Sequence, residues 1–254
     1  MIQYFDTHAH YDSGKFNADR DEVLRAVHDS GVALVVDPGD SGVTSERAVA
    51  LAQAHDFVYA AVGWHPEEAD SWTDSSLAHI RALAAQPKVC AIGEIGLDYY
   101  WDASTKAKQE RMFRAQLELA LELDLPVIVH DREAHGDSLR IVCDYPQLRG
   151  VFHCYSGSVE MARELLRRGW YLGFDGPITY KNAAKAPEVI AACPAERILL
   201  ETDYPYLAPV PNRGKRNVSR NLPFIAARVA EIKGMTIDQV AEVTLQNGKK
   251  LFDL

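Results

Sequence analysis

Short runs of branched and aromatic apolar residues recur along this chain. Each is followed by a polar or Gly/Pro-containing segment and then by a stretch whose apolar positions repeat with helical period. Eight such runs are counted, at about residues 3–8, 33–37, 58–64, 89–94, 127–130, 150–153, 170–174 and 197–203. Between them, residues 158–168 predict a helix with Met161, Leu165 and Leu166 on one face, Ser158 as its N-cap and Gly169 at its end. A longer helix over Lys106–Leu123 carries Phe113, Leu117, Ala120 and Leu121 as a stripe, with Pro126 closing the passage to the next run. A last helix, at about 237–251, is expected to pack outside the strands.

Eight strand–helix alternations in 254 residues favour a closed (β/α)₈ TIM-type barrel of one domain, residues 1–254, over an open doubly wound sheet. No G-x-G-x-x-G or G-x-x-x-x-G-K-[ST] follows any run, so nothing supports nucleotide binding in an open sheet. The start lacks a basic segment leading into an apolar one, and no stretch approaches the roughly 18 apolar residues of a membrane span, which predicts a cytoplasmic protein without membrane association. Cys90, Cys143, Cys154 and Cys193 lack C-x-x-C spacing and are expected to be buried, reduced thiols. A formal net charge of -9 argues against a broad basic face for duplex nucleic acid, although two bound divalent cations would add about four local positive charges.

The ionisable residues change the picture. Asp6, His8, His10, His65, Glu94, His130, His153 and Asp203 all fall at or just beyond the C-terminal end of an apolar run, the end at which barrels build their active sites. His8 and His10 stand two apart, so in extended backbone they point to one side and can grip one cation. Glu94 sits in an apolar strand, where an ionised carboxylate needs a metal or a charged partner. Singly, each residue has a plainer reading: the histidines as solvated or hydrogen-bonded rim residues, Glu94 as half of a buried ion pair. Together, four histidines and two carboxylates from five strand ends are too many polar groups for an inert core. Mixed imidazole and carboxylate donors favour zinc, manganese or cobalt over magnesium, which prefers oxygen shells, and six ligands suffice for two ions sharing one carboxylate. Which of zinc, manganese or magnesium is resident is left open.

In Asp6-Thr7-His8-Ala9-His10, Gly63-Trp64-His65-Pro66, Gly93-Glu94-Ile95-Gly96-Leu97-Asp98-Tyr99, Pro126-Val127-Ile128-Val129-His130, Phe152-His153-Cys154-Tyr155-Ser156-Gly157 and Glu201-Thr202-Asp203-Tyr204-Pro205-Tyr206-Leu207, the whole chain resembles the TatD family of metal-dependent deoxyribonucleases. The resemblance implies two divalent ions, one on His8, His10, Glu94 and Asp203 and one on Glu94, His130 and His153, with Glu94 shared and Asp203 as general base. It implies cleavage of DNA phosphodiesters by metal-activated water, as a 3′-to-5′ exonuclease on single-stranded ends. His65 and Arg132, just past strand ends, would contact the leaving or non-scissile phosphate, with a structural or ligand-supporting role as the alternative for either. Arg213, Lys215 and Arg216 form a cationic loop that either holds phosphates beside the site or is solvated surface, and Trp64, Tyr99, Tyr155 and Tyr204 offer either stacking surfaces for bases or packing at the barrel mouth. The chain departs from the family's usual Glu-Pro after Asn217, continuing Val218-Ser219-Arg220-Asn221, which puts the shape of that loop in question. Two other readings stay open: a hydrolase of a small amide, lactone or ester, and a non-catalytic interaction protein on a barrel scaffold. The sequence does not set the oligomeric state.

Overall fold

Every apolar run forms a strand of one parallel sheet, because residues rich in Val, Ile and Leu on both faces can be buried from both sides only in a parallel arrangement covered by helices. The computed structural model describes residues 2–101 and 103–254. The strands are β1 (Tyr4–Asp6), β2 (Val32–Pro38), β3 (Val58–Val62), β4 (Val89–Asp98), β5 (Val127–Arg132), β6 (Gly150–Phe152), β7 (Tyr171–Phe174) and β8 (Ile198–Leu200), each parallel to the next in chain order. β8 returns to β1: Thr7 donates its backbone N–H to the Leu200 carbonyl at 3.1 Å, and beyond the strands Ala9 and Tyr204 form a parallel bridge. This closes a (β/α)₈ barrel. Between and after the strands run α1 (Arg20–Asp29), α2 (Gly42–Ala54), α3 (Asp74–Ala84), α4 (Lys106–Leu123), α5 (His135–Cys143), α6 (Val159–Arg167), α7 (Ala186–Ala192), α8 (Leu222–Lys233) and α9 (Ile237–Phe252). Ser158 caps α6 as its sequence predicts, its hydroxyl accepting from the Met161 N–H.

Alternate strand residues divide between two layers. Phe5, Val36, Ala61, Ala91, Ile128, Val151, Tyr171 and Leu199, one from each strand, form an inner cluster, while Val35, Val62, Ile92, Val129, Phe152, Leu172 and Leu200 pack with the surrounding helices. The last helix departs from expectation. Instead of lying only against the outer layer, α9 sends Leu245, Leu251 and Phe252 into the inner cluster, with the Phe252 and Phe5 rings 5.9 Å apart. The close approach requires glycine at 248, where a Cβ would sit 2.4 Å from the Phe5 ring. With Asn247 Nδ2 bonded to the carbonyls of Ala195 and Ile198, which precede and open β8, α9 covers the N-terminal end of the barrel and leaves the opposite mouth for chemistry. Cys90 and Cys193 are buried as expected, whereas Cys143 and Cys154 are only half-buried. No described helix is long and apolar enough to cross a membrane.

Candidate metal centre

The short β1 ends at Asp6, whose buried carboxylate fixes the first part of the site. It accepts from the Thr202 hydroxyl at 2.6 Å and the Thr202 N–H at 3.0 Å, tying the end of β1 to the chain just past β8. Burial pushes its carboxyl up to about 7. Across this tie His8 and His10 come beside Asp203, whose N–H donates to the His8 carbonyl at 2.9 Å and whose φ of +50° is left-handed, a conformation that costs a non-glycine residue about 1 kcal/mol or more.

Glu94 comes from mid-strand rather than from a strand end: β4 runs four residues beyond the predicted stop. The pairing with β5 slips between Ile92 and Ile95, and Gly96 has a φ of +146° with the His130 carbonyl only 2.0 Å from where a Cβ would be. Only glycine allows the β4 backbone to lie this close to His130.

The four histidines sort themselves around the two oxygens of Glu94. Oε1 lies 2.8 Å from His130 Nδ1 and 2.7 Å from His153 Nε2; Oε2 lies 3.1 Å from His8 Nε2 and 3.6 Å from His10 Nε2. On the Oε2 side, Asp203 Oδ1 is 3.5 Å from His10 Nε2 and 3.9 Å from His8 Nε2. The six residues called from the sequence thus converge as two groups of donors that share one carboxylate.

What each histidine does with its other nitrogen shows which can offer a lone pair. His10 Nδ1 lies 3.1 Å from the Pro38 carbonyl, a pure acceptor, so in the neutral ring that nitrogen carries the proton and Nε2 has the lone pair. His130 Nε2 donates to Asp98 Oδ2 at 3.0 Å, and His153 Nδ1 faces Glu201 Oε1 at 3.7 Å. Each arrangement aims the remaining nitrogen at the centre, as histidines that bind metals commonly are held. Within the centre His8 Nε2 and His10 Nε2 are 3.1 Å apart, and His153 Nε2 and His130 Nδ1 are 3.4 Å apart, so ring nitrogens crowd together around the Glu94 carboxylate. A divalent cation among these imidazole and carboxylate groups fits this donor set.

His65 is different. Its Nε2 is 3.4 Å from Glu94 Oε1, and it can be grouped with Glu94 and His130 as a candidate ligand. But its Nδ1 accepts the Glu67 N–H at 3.2 Å, so the neutral ring carries its proton on Nε2 and presents a donor to the centre. That suits an oxygen of a substrate or of Glu94 better than a cation.

Electrostatics follow this geometry. Burial would raise the Glu94 carboxyl, but His153, His8, His65 and His130 hold it well below the usual range. Burial likewise opposes ionisation of Asp203, and the hydrogen bond from His10 with the charges of His8, His10 and His153 brings it below its ordinary value. Burial works against charge on His130, yet Asp98 and Glu94 carry it up to about 9. For His8 burial dominates, aided by His153, and its pKa falls.

The other nominated residues scatter. The Arg132 guanidinium carbon lies 3.9 Å from the centroid of the Tyr100 ring, and that of Arg213 4.3 Å from the Tyr180 centroid. Arg216 is bound to Asp19 through both terminal nitrogens and is therefore not free to take phosphate. Beside it, Asn212, Lys215, Arg216, Val218, Arg220 and Asn221 line a cavity of about 370 Å³ that includes none of the six central residues; the departure after Asn217 thus shapes this cavity rather than the centre. Trp64, Tyr155 and Tyr204 are buried packing residues, and Tyr99 is half-buried with its hydroxyl on Asp137 and Lys106 over its ring. The exposed aromatic rings at this end of β4 are Tyr100 and Trp101 instead. Sequence reasoning gave no role to Asp98 or Asp40, the latter 3.8 Å from His10 Nδ1, nor to Glu201, the second carboxylate at the end of β8. The signal for Asp98 is present: it follows Glu94 by four in a strand, so period-two alternation puts both on one face.

Residues 5–253 match the family model described as TatD related DNase. The chain is 43% identical over 250 residues to "Uncharacterized metal-dependent hydrolase YabD" of Bacillus subtilis, covering 98% of each chain. It is 38% identical over 256 residues to "3′-5′ ssDNA/RNA exonuclease TatD" of Cronobacter sakazakii, covering 98% of this chain and 97% of that protein. Among solved structures it is similar to that of YJJV, a TatD homologue from Escherichia coli K12, with a TM-score of 0.94, 32% identity and coverage of 100% and 99%.

Proposed function

The chain belongs to the TatD-related DNase family of metal-dependent hydrolases, and we propose that it is a two-metal phosphodiesterase acting on single-stranded DNA ends, with 3′-to-5′ polarity. The observation that carries this reading is the division of donors about Glu94. His8, His10 and Asp203 would hold one divalent ion on the Oε2 side, His130 and His153 the other on the Oε1 side, and Glu94 both. Two such ions supply Lewis acidity, making water a stronger acid and neutralising charge on a phosphoryl group.

The protein's own groups do the rest. The charges around Asp203 favour its ionised form and its side chain is 17% exposed against 4% for Glu94, so it is the carboxylate better placed to take a proton from an attacking water. His65 Nε2–H would donate to a phosphate oxygen, Asp98 fixes the His130 ring from behind by a hydrogen bond, and the Glu201 carboxylate lies 3.7 Å behind His153 Nδ1. The name of the Cronobacter relative supports single-stranded nucleic acid as substrate and the stated polarity. The fold alone would serve a small amide, lactone or ester equally well.

The test is degradation of a 5′-labelled single-stranded oligonucleotide by metal-stripped protein, with Mg²⁺, Mn²⁺ or Zn²⁺ restored separately and Asp203→Ala in parallel. A metal-dependent ladder shortening from the 3′ end and absent in the variant is expected. No cleavage with any metal, its binding confirmed, would overturn the DNA reading.

A further inference from the structure

Two large rings stand in solvent beside the centre. Tyr100 is 55% exposed and Trp101 63%, although burial of such rings is strongly favoured in water. They are not loosely hung. The backbone N–H groups of Tyr100 and Trp101 donate to Asp98 Oδ1 at 2.9 and 3.1 Å, while Asp98 Oδ2 accepts from His130 Nε2 at 3.0 Å. Asp98 is itself buried, and its own N–H and carbonyl are both held by the side-chain amide of Gln109, at 2.9 Å each. One carboxylate therefore fixes the exposed rings and a candidate metal ligand on its two oxygens. The rings stand edge to face with centroids 4.9 Å apart, and the Arg132 guanidinium lies 3.9 Å from the Tyr100 centroid and 5.5 Å from that of Trp101.

We propose that Tyr100, Trp101 and Arg132 form a nucleobase subsite at the barrel mouth, which stacks one unpaired base of the strand being cut and holds its neighbouring phosphate. The inference rests on the nuclease reading above and adds the group that is recognised. A base supplies the flat apolar face that an exposed ring can cover, whatever its sequence. A guanidinium stacked on a ring keeps its N–H edges free for a phosphate, which a lysine in the same place would not orient. An unpaired base reaches such rings, whereas a base inside a duplex shows them only its edge, so the subsite selects single strands. Asp98 acts as a positioning residue that sets the distance from the stacked base to the His130 side of the centre.

The experiment uses the metal-loaded protein on two oligonucleotides of one length, one with bases and one whose 3′-terminal three nucleotides are abasic. Wild type should cleave the normal strand with a KM about tenfold lower than the abasic one. Trp101→Ala combined with Tyr100→Ala should erase most of that gap by raising KM for the normal strand with little change in kcat. Trp101→Phe, which keeps a ring, should retain it. Circular dichroism and metal content establish that each variant is folded and loaded. An undiminished preference for bases in the double variant overturns the subsite and leaves the nuclease standing. Failure of wild type to cleave either strand overturns both.

Discussion

Glu94→Gln is the sharpest perturbation of this centre, because the amide has almost the same shape and packing while the charge and one acceptor oxygen are lost. Glu94 is 3% exposed and lies within 2.7–3.6 Å of nitrogens on five histidines, His8, His10, His65, His130 and His153. Removing one partner from a buried ionic cluster costs about 3–5 kcal/mol. For a chain of this size each kcal/mol lowers the melting temperature by about 2–4 °C, so the stripped variant should melt roughly 6–20 °C below stripped wild type. With metal present the effect is larger, because a residue that only orients a ligand already changes affinity about 10–100-fold and Glu94 would be a ligand to both ions. Equilibrium dialysis followed by elemental analysis should show fewer than two ions per chain, and turnover should fall more than about 100-fold. A variant that binds two ions with wild-type affinity, or that melts within a degree of wild type in chelator, would refute the shared carboxylate.

Asp98→Asn should weaken metal binding by about 10–100-fold while His130 stays in place, measured by the zinc concentration needed to restore half of full activity. Phe252→Ala removes a buried ring from the end of the barrel opposite the centre; it should cost about 3–5 kcal/mol by urea denaturation and leave the metal content unchanged. Burial pushes the Cys193 thiol up to about 12 and also raises that of Cys90, so neither forms thiolate at pH 8, and both should react with a thiol reagent only after unfolding. Arg132, Arg213 and Lys215 are the nominated basic residues that have no carboxylate partner among the described residues, so oligonucleotide binding should fall with salt at a log–log slope of about -2.1, and a slope beyond about -4 would require a basic surface that this reading lacks.

The barrel was legible because its evidence is periodic and repeated: eight apolar runs begin within a residue or so of eight strands, and the reading does not depend on any single boundary. The ends of those runs were less legible. β4 continues to Asp98 because Gly96 lets it pass the His130 carbonyl, which an apolar count cannot register. The convergence of the six central residues was legible because imidazole and carboxylate side chains stand out against apolar runs, although Glu94 lies in mid-strand rather than at a strand end. The groups behind them were missed because an aspartate that orients a histidine has the same letter as one that meets water. Burial decided the aromatic residues. Trp64 and Tyr204 carry the same chemistry as Trp101 and Tyr100, and only packing separates the rings that fill the core from the pair left in solvent.

The acidity of the chain bears on the centre through where its carboxylates lie. Asp6, Asp12, Asp37, Glu94, Asp98, Asp175 and Glu201 are the buried acids among the described residues, all on or just after β1, β2, β4, β7 and β8, and no described lysine or arginine is buried with them. Buried negative charge without a cation costs several kcal/mol per group, and three ways of meeting that cost are visible. Burial raises the carboxyls of Asp37 and Asp175 well above their ordinary range, which favours the neutral form in these two. Asp98 and Glu94 instead meet histidine nitrogens, which can carry charge. Glu201 keeps Oε2 without a hydrogen bond while Oε1 accepts from the Cys154 N–H and lies 3.7 Å from His153. For the acids nearest the centre, histidine protonation and a bound cation are alternative solutions that compete for the same lone pairs. Cations therefore bind most tightly where the histidines are neutral, and loading them releases protons rather than merely filling a hole.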